Sequence, residues 1–90
     1  MTVSLEEAKK YLRVDHDYDD TLIKKFIRTG NQLCKDTLRI EDDLYVPNAT
    51  IRVAVLYCVA YLYEHREDAD MDVLTRNLRY MLSSERKAVF

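Results

Sequence analysis

The stretch Ile51 to Arg66, IRVAVLYCVAYLYEHR, restricts the fold of this chain more than any other. Residues Val53 to Tyr63 carry no charge and no strong helix breaker. At 3.6 residues per turn, Ile51, Val55, Cys58 and Leu62 share one face. Leu56, Val59 and Tyr63 fall on a second face, and Val53, Tyr57, Ala60 and Tyr61 fill most of the rest. A helix apolar all round must be covered on several sides. The stretch therefore reads as the central helix of a small bundle, with part of its surface open to a subunit interface. Its eleven uncharged residues are too few for a membrane span, which needs roughly 20. Its β-branched content would also suit a strand, but strands usually run about 4 to 8 residues. The pattern is longer than that, and helix is the better assignment.

A chain of 90 residues is one domain. At this size only about 60% of the unfolded surface is buried on folding, so the monomer is marginal and oligomerisation is a common remedy. One Gly and one Pro leave little turn chemistry for hairpins, which argues against an all-β fold. A formal net charge of −2 argues against a dedicated nucleic-acid binder, which shows a clear basic excess. The opening MTVSLEEAKK lacks the apolar core of a signal peptide, so the chain is expected to be made and kept in a cytosol. Cys34 and Cys58 fall on apolar helical faces and read as buried core thiols. A disulfide between them is weakly motivated without export.

Taken in order, Ser4-Leu5-Glu6-Glu7 is a capping box: Ser4 accepts from the Glu7 amide and Glu7 reaches back to the Ser4 amide. Val3 precedes the cap and is placed to staple onto Ala8. A short first helix over residues 5–12 follows, with Lys9, Lys10 and Arg13 near its C-terminal end, where the helix dipole favours cations. Asp15 to Asp20 alternates aspartates like a calcium loop. That motif needs Gly at its sixth position and Glu at its twelfth, and Asp20 and Phe26 stand there instead. The segment reads as an acidic linker whose Asp17 or Asp19 caps the next helix.

The second helix is expected over about residues 18–37. Leu22, Ile23, Phe26, Ile27, Leu33, Cys34 and Leu38 recur at three- and four-residue steps. Gly30 shares that face. A mid-helix Gly costs roughly 1 kcal/mol against Ala, so another helix should approach closely there. Lys24, Lys25, Arg28 and Lys35 form a basic stripe on the other side. It reads as a solvated face, or alternatively as a contact for an acidic partner or a phosphate backbone. In the connector after it, Glu41, Asp42 and Asp43 read as solvated, and Leu44, Tyr45 and Val46 as a short extended piece. Pro47 fits the first turn of the central helix, and Asn48 or Thr50 its cap. Asp72 is the expected cap of a last helix from Val73 to about Leu82. Val73, Leu74, Leu78, Met81 and Leu82 are expected to supply its buried side; Arg76, Arg79 and Arg86 supply its basic side. Residues 83–90 end Arg86-Lys87-Ala88-Val89-Phe90, either a frayed end or an extended tail that docks on a partner.

The expected fold is all-α: one domain over residues 1–90, about four helices around a long central apolar helix. Its core is expected to hold Leu22, Phe26, Ile27, Ile51, Val55, Cys58, Leu62 and Leu78. Catalytic signatures are absent from the sequence. His16 and His65 stand in no metal spacing, and one glycine cannot make a phosphate loop. Both cysteines look too buried for a nucleophile. No enzyme, no cofactor and no metal are expected. Tyr and Arg are, however, the residues that favour protein–protein interfaces, and the chain has seven tyrosines.

Val3 to Asp15, V-S-L-E-E-A-K-K-Y-L-R-V-D, resembles the opening of the phage gp6-like head–tail connector family, a group also labelled "possible DNA packaging". The family follows that opening with an acidic stretch and D-x-x-I, matched by Asp20-Thr21-Leu22-Ile23. Ile51 to Glu67 resembles the family's apolar helix, which ends in a tyrosine, an acid or amide, and an arginine. Tyr63, Glu64 and Arg66 fit that ending. Leu82 and Arg86 stand near the close of the family's last helix, with Ser83-Ser84-Glu85 where the family often carries a tyrosine. The resemblance covers nearly the whole chain.

What it implies is a small helical protein of the virion neck, present in the host cytoplasm during assembly. It would form a ring with the portal's twelve-fold symmetry, bridging the portal to a stopper or tail-completion protein. DNA would pass through its channel without specific binding, and no membrane is involved. Tyr63 and Arg66 would anchor the end of the central helix or a neighbouring subunit. Arg79 joins the candidate interface, and Arg86, Lys87 and Phe90 would form an arm onto the portal or a neighbour. The alternatives are a small helical regulator that binds DNA through Lys24, Lys25, Arg28 and Lys35, and a generic oligomeric interaction module.

Overall fold

A computed structural model describes residues 3–39 and 48–83. They form four α-helices: α1 (Leu5–Leu12), α2 (Asp20–Leu38), α3 (Ala49–Glu64) and α4 (Met71–Met81). The described residues contain no strand. The proposed extended piece at Leu44 to Val46, the placement of Pro47 and the tail from Ser84 to Phe90 lie outside the described residues.

α1 begins as its sequence dictates. The Ser4 hydroxyl accepts from the Glu7 amide at 3.1 Å, and Val3 and Ala8 are both fully buried. Only half of the expected capping box forms. The Glu7 carboxylate pairs with the Arg52 guanidinium of α3 instead of returning to the Ser4 amide. A charge-assisted bond to a guanidinium is stronger than one to a neutral amide, and it ties two helices together. The helix ends at Arg13 in a left-handed conformation, φ 59°.

The acidic linker is pinned from α1. Lys9 Nζ lies 3.2 Å from Asp17 Oδ1 and 2.8 Å from Asp20 Oδ1. The hydrogen bond to Asp20 is the main reason the Lys9 amine is held above its ordinary value of 10.5. α2 then starts at Asp20, two residues later than the periodicity suggests, and leaves Tyr18 exposed. Asp19 occupies the N-cap position, yet its side chain caps nothing. It is engaged elsewhere, as described below.

α2 packs most extensively on α3, and each of the two also touches α1 and α4. The centre of the bundle is thus a helix pair, and α2, with 19 residues, is longer than α3, with 16. Gly30 is the point of closest approach. A Cβ built there would lie 3.1 Å from Cys58 Cβ and 3.3 Å from Val55 Cγ1. Around it Ile23, Ile27, Cys34, Val55, Cys58 and Val59 are essentially inaccessible. Cys34 and Cys58 are free thiols in this layer. Hydrogen bonding with Cys34 and then burial push the Cys58 thiol far above the ordinary thiol range.

Of the expected core, Phe26, Ile27, Ile51, Val55, Cys58, Leu62 and Leu78 are buried. Leu22 is not: it is only half-buried and packs on the edge of the cluster, because the neighbouring Ile23 takes the inward position. α3 is also less enclosed than an all-apolar surface demands. Leu56, Tyr57, Ala60, Tyr61 and Tyr63 are half-buried, and Val53 is 56% exposed.

Asn48 caps α3 by accepting from the Ile51 amide at 2.9 Å. α4 starts earlier than expected. Asp70, not Asp72, is its cap, accepting from the Asp72 and Val73 amides at 3.0 and 3.2 Å. Asp70 has the extended backbone a cap requires, whereas Asp72 is already helical. Leu74, Leu78 and Leu82 are fully buried and seal α4 onto the pair.

The close approach at Gly30 sets a measurable expectation. On an exposed helix Gly→Ala gains about 1 kcal/mol. Here Gly30→Ala should fall short of that gain in urea unfolding, and Gly30→Leu should lose about 3 kcal/mol from overpacking. A Gly30→Leu protein as stable as wild type would show that the helices do not meet there.

Candidate functional site

The described residues offer surfaces rather than a catalytic cavity. No group of three or more His, Cys, Asp or Glu side chains among them can hold a metal ion. No helix among them is long and apolar enough to cross a membrane. The polar chemistry is concentrated at the two ends of the bundle, and α3 organises one of them.

The C-terminal half of α3 carries Tyr57, Tyr61 and Tyr63 on its less enclosed sides. Two of the phenols bond to α4 and its cap, and the third bonds to the residue ahead of α2. Tyr57 Oη accepts from Asn77 Nδ2 of α4 at 2.6 Å. Tyr61 Oη accepts from the Asp70 amide at 3.0 Å, which holds the cap of α4 in place. Its ring also stacks near His65, centroid to centroid 4.5 Å. Tyr63 Oη donates to Asp19 Oδ2 at 2.7 Å, just ahead of α2.

Two of the sequence-assigned interface residues, Tyr63 and Arg66, come together here. Arg66 sits 4.8 Å above the Tyr63 ring centroid. Its Nη1 is 3.6 Å from Asp19 Oδ1. One carboxylate therefore holds both side chains, and the end of α3 is fastened to the start of α2. Donation to the Asp19 carboxylate keeps the Tyr63 phenol above its ordinary value of 10.0. Asp19 is the member that sequence reasoning missed. Its position before α2 signals a cap, and nothing in the local sequence shows that a residue 44 positions away will take its carboxylate. The turn that follows α3 is acidic. Glu64, Glu67, Asp68, Asp70 and Asp72 are all exposed, and Asp68 meets His65 Nδ1 at 3.4 Å.

Arg79 lies apart from that cluster, on the C-terminal half of α4. It lines an open groove of about 450 Å³ between α2 and α4, together with Leu33, Asp36, Thr37, Arg39 and Thr75. Arg39 was not singled out by sequence. It terminates α2 in a left-handed conformation, φ 55°, with its amide directed at the Asp36 and Lys35 carbonyls. That position normally holds Gly, and the usual Gly signal is missing, so the helix end and the arginine's orientation are both illegible from sequence. Tyr80, next to Arg79, is 84% exposed. Lys24, Lys25 and Arg28 of the basic stripe are exposed on the outer face of α2, while Lys35 is half-buried. Arg86, Lys87 and Phe90 lie outside the described residues.

The Asp19–Tyr63 bond is testable through pH. Tyr63→Phe should cost about 1 kcal/mol at neutral pH, the usual worth of one such bond. A phenol whose value is raised on folding contributes fully below its unfolded value and loses that contribution as pH rises through the folded one. The difference between wild type and Tyr63→Phe should therefore hold below about pH 10 and shrink above it. Equal stability of the two proteins at pH 7 in thermal unfolding would contradict the bond.

Among known proteins, the family model described as phage gp6-like head-tail connector protein matches residues 2–85 of the chain. The match covers all four helices and both ends of the bundle. No curated protein and no solved structure matches it.

Proposed function

This chain belongs to the phage gp6-like head–tail connector proteins, and on that premise we propose that it assembles as a ring on the portal, joining head to tail around the DNA channel. The observation that carries the proposal is the family match across residues 2–85. The family is structural, and the role that follows is assembly rather than chemistry. In the proposal the α2–α3 pair is the rigid body of each subunit, and the polar ends of the bundle make the contacts. The partners are further copies of the chain, the portal, and a stopper or tail-completion protein. The site of action is the virion neck, after assembly in the host cytoplasm.

Two physical features support this reading. A small, marginal domain gains stability from contacts with its own copies, and unlike surfaces repeated by rotation close into a ring. The chain's net charge of −2 also suits a conduit through which DNA slides without being gripped. The lysines and arginine on the outer face of α2 are the feature a DNA-binding regulator would use, and that alternative predicts affinity that falls steeply with salt.

Quantitative mass spectrometry of intact particles from the encoding phage tests the proposal. The expected result is about twelve copies per particle, as for a ring matched to the portal. Expression in the infected cell without incorporation into particles would refute the connector role and favour the regulator.

A further inference from the structure

α4 is electrically polarised along its length, and so is the face of the bundle that it forms. At its start lie Glu64, Glu67, Asp68, Asp70 and Asp72, all exposed. Asp70 is occupied as the cap and Asp68 by His65. Glu64, Glu67 and Asp72 meet no cation among the described residues. Toward its other end lie Arg76, Arg79 and Tyr80, with Arg39 across the α2–α4 groove, all exposed. None of these arginines meets a carboxylate among the described residues. Asp36, which lines the same groove, already accepts from Gln32 at 2.8 Å.

Arg39, like Arg13 at the end of α1, ends its helix in the left-handed region. Its backbone sits at φ 55°, ψ 44°, where a non-glycine residue costs roughly 1 kcal/mol. Gly would serve the fold better at that point. The arginine is not part of the described core, and it lines the same groove as Arg79 of α4. Two guanidiniums from separate helices form a receptor for carboxylates. An exposed tyrosine at the rim supplies the apolar contact that such interfaces favour.

We propose that the Arg39–Arg79 groove receives the Glu64 and Glu67 carboxylates of a second copy of this chain, so that copies join head to tail. The inference deepens the ring reading above and rests on it. Charge complementarity selects the occupant: among the described residues Glu64 and Glu67 meet no cation, and Arg39 and Arg79 meet no carboxylate. A contact between two unlike surfaces repeats from copy to copy, as ring closure requires. A surface that paired with its own image would stop at a dimer.

The test uses sedimentation of the full chain over a range of protein and salt concentrations, with circular dichroism to verify folding. Wild type should associate, more strongly at low salt. Arg39→Gly should melt at a higher temperature than wild type, because Gly relieves the left-handed backbone. It should nevertheless associate about tenfold more weakly, the equivalent of about 1.4 kcal/mol. Arg39→Glu with Arg79→Glu, and Glu64→Arg with Glu67→Arg, should each be folded and monomeric alone. An equal mixture of the two should recover association, since each then offers the charge the other needs. Wild type that stays monomeric throughout, charge-reversed proteins that associate normally, or a mixture that fails to recover would each overturn the pairing. Wild type that stays monomeric but binds DNA through the groove would overturn it in favour of a phosphate ligand. Loss of the pairing with the protein still present in particles would leave the connector role intact. Absence from particles would remove that role whatever the sedimentation shows.

Discussion

The contact on which the rest of the structure depends is the approach of α3 to Gly30 of α2. A Cβ at that position would lie 3.1 Å from Cys58 Cβ and 3.3 Å from Val55 Cγ1, so those neighbours would have to yield. With hydrogen there, the two apolar faces meet without that shift. Every other element uses the resulting platform. α1 and α4 each rest on both members of the pair, and Leu74, Leu78 and Leu82 are buried because that platform is continuous. In a domain this small, where little surface is removed from water, one close contact decides a large share of the packing.

α3 poses a second problem, because its apolar residues surround it while three other helices among the described residues cover it. The solution lies in its tyrosines. Tyr57, Tyr61 and Tyr63 occupy the sides that remain partly open, where each ring shields the helix and each hydroxyl bonds outward. Apolar bodies with polar tips suit a half-wet position. The three bonds also index the neighbouring elements, fixing α4 at two points and the start of α2 at a third. The Arg52–Glu7 pair does the same for α1.

These fastenings leave charged residues exposed at the ends of the bundle. The elements of a head–tail connector protein must withstand assembly while presenting contacts on more than one side. The helix pair supplies rigidity, and the loop after α3 and the groove beside α4 supply charge of opposite sign. Arg13 and Arg39 both stand at helix ends where backbone energetics favour glycine.

The sequence by itself determined the helical class, the extent of α1, the burial of Ile51, Val55, Cys58 and Leu62 and the requirement for close contact at Gly30. Each of these follows from local periodicity or from the energetics of a single residue, which short windows of sequence contain. The family resemblance was legible for the same reason, in the order of three local patterns. The tertiary structure alone decided that the core centre is a pair of helices, that Leu22 yields its place to Ile23, and that Asp70 rather than Asp72 begins α4. It alone brought Asp19 to Tyr63 and Arg66, and set Arg39 and Arg79 along one groove. A side chain with several equivalent uses takes the partner that folding delivers. Asp19 could cap a helix or bind a phenol, and Glu7 could close a capping box or pair with an arginine. In both cases the residue took a partner more than forty positions away in the chain. Such choices depend on distances between elements, and no local pattern encodes those.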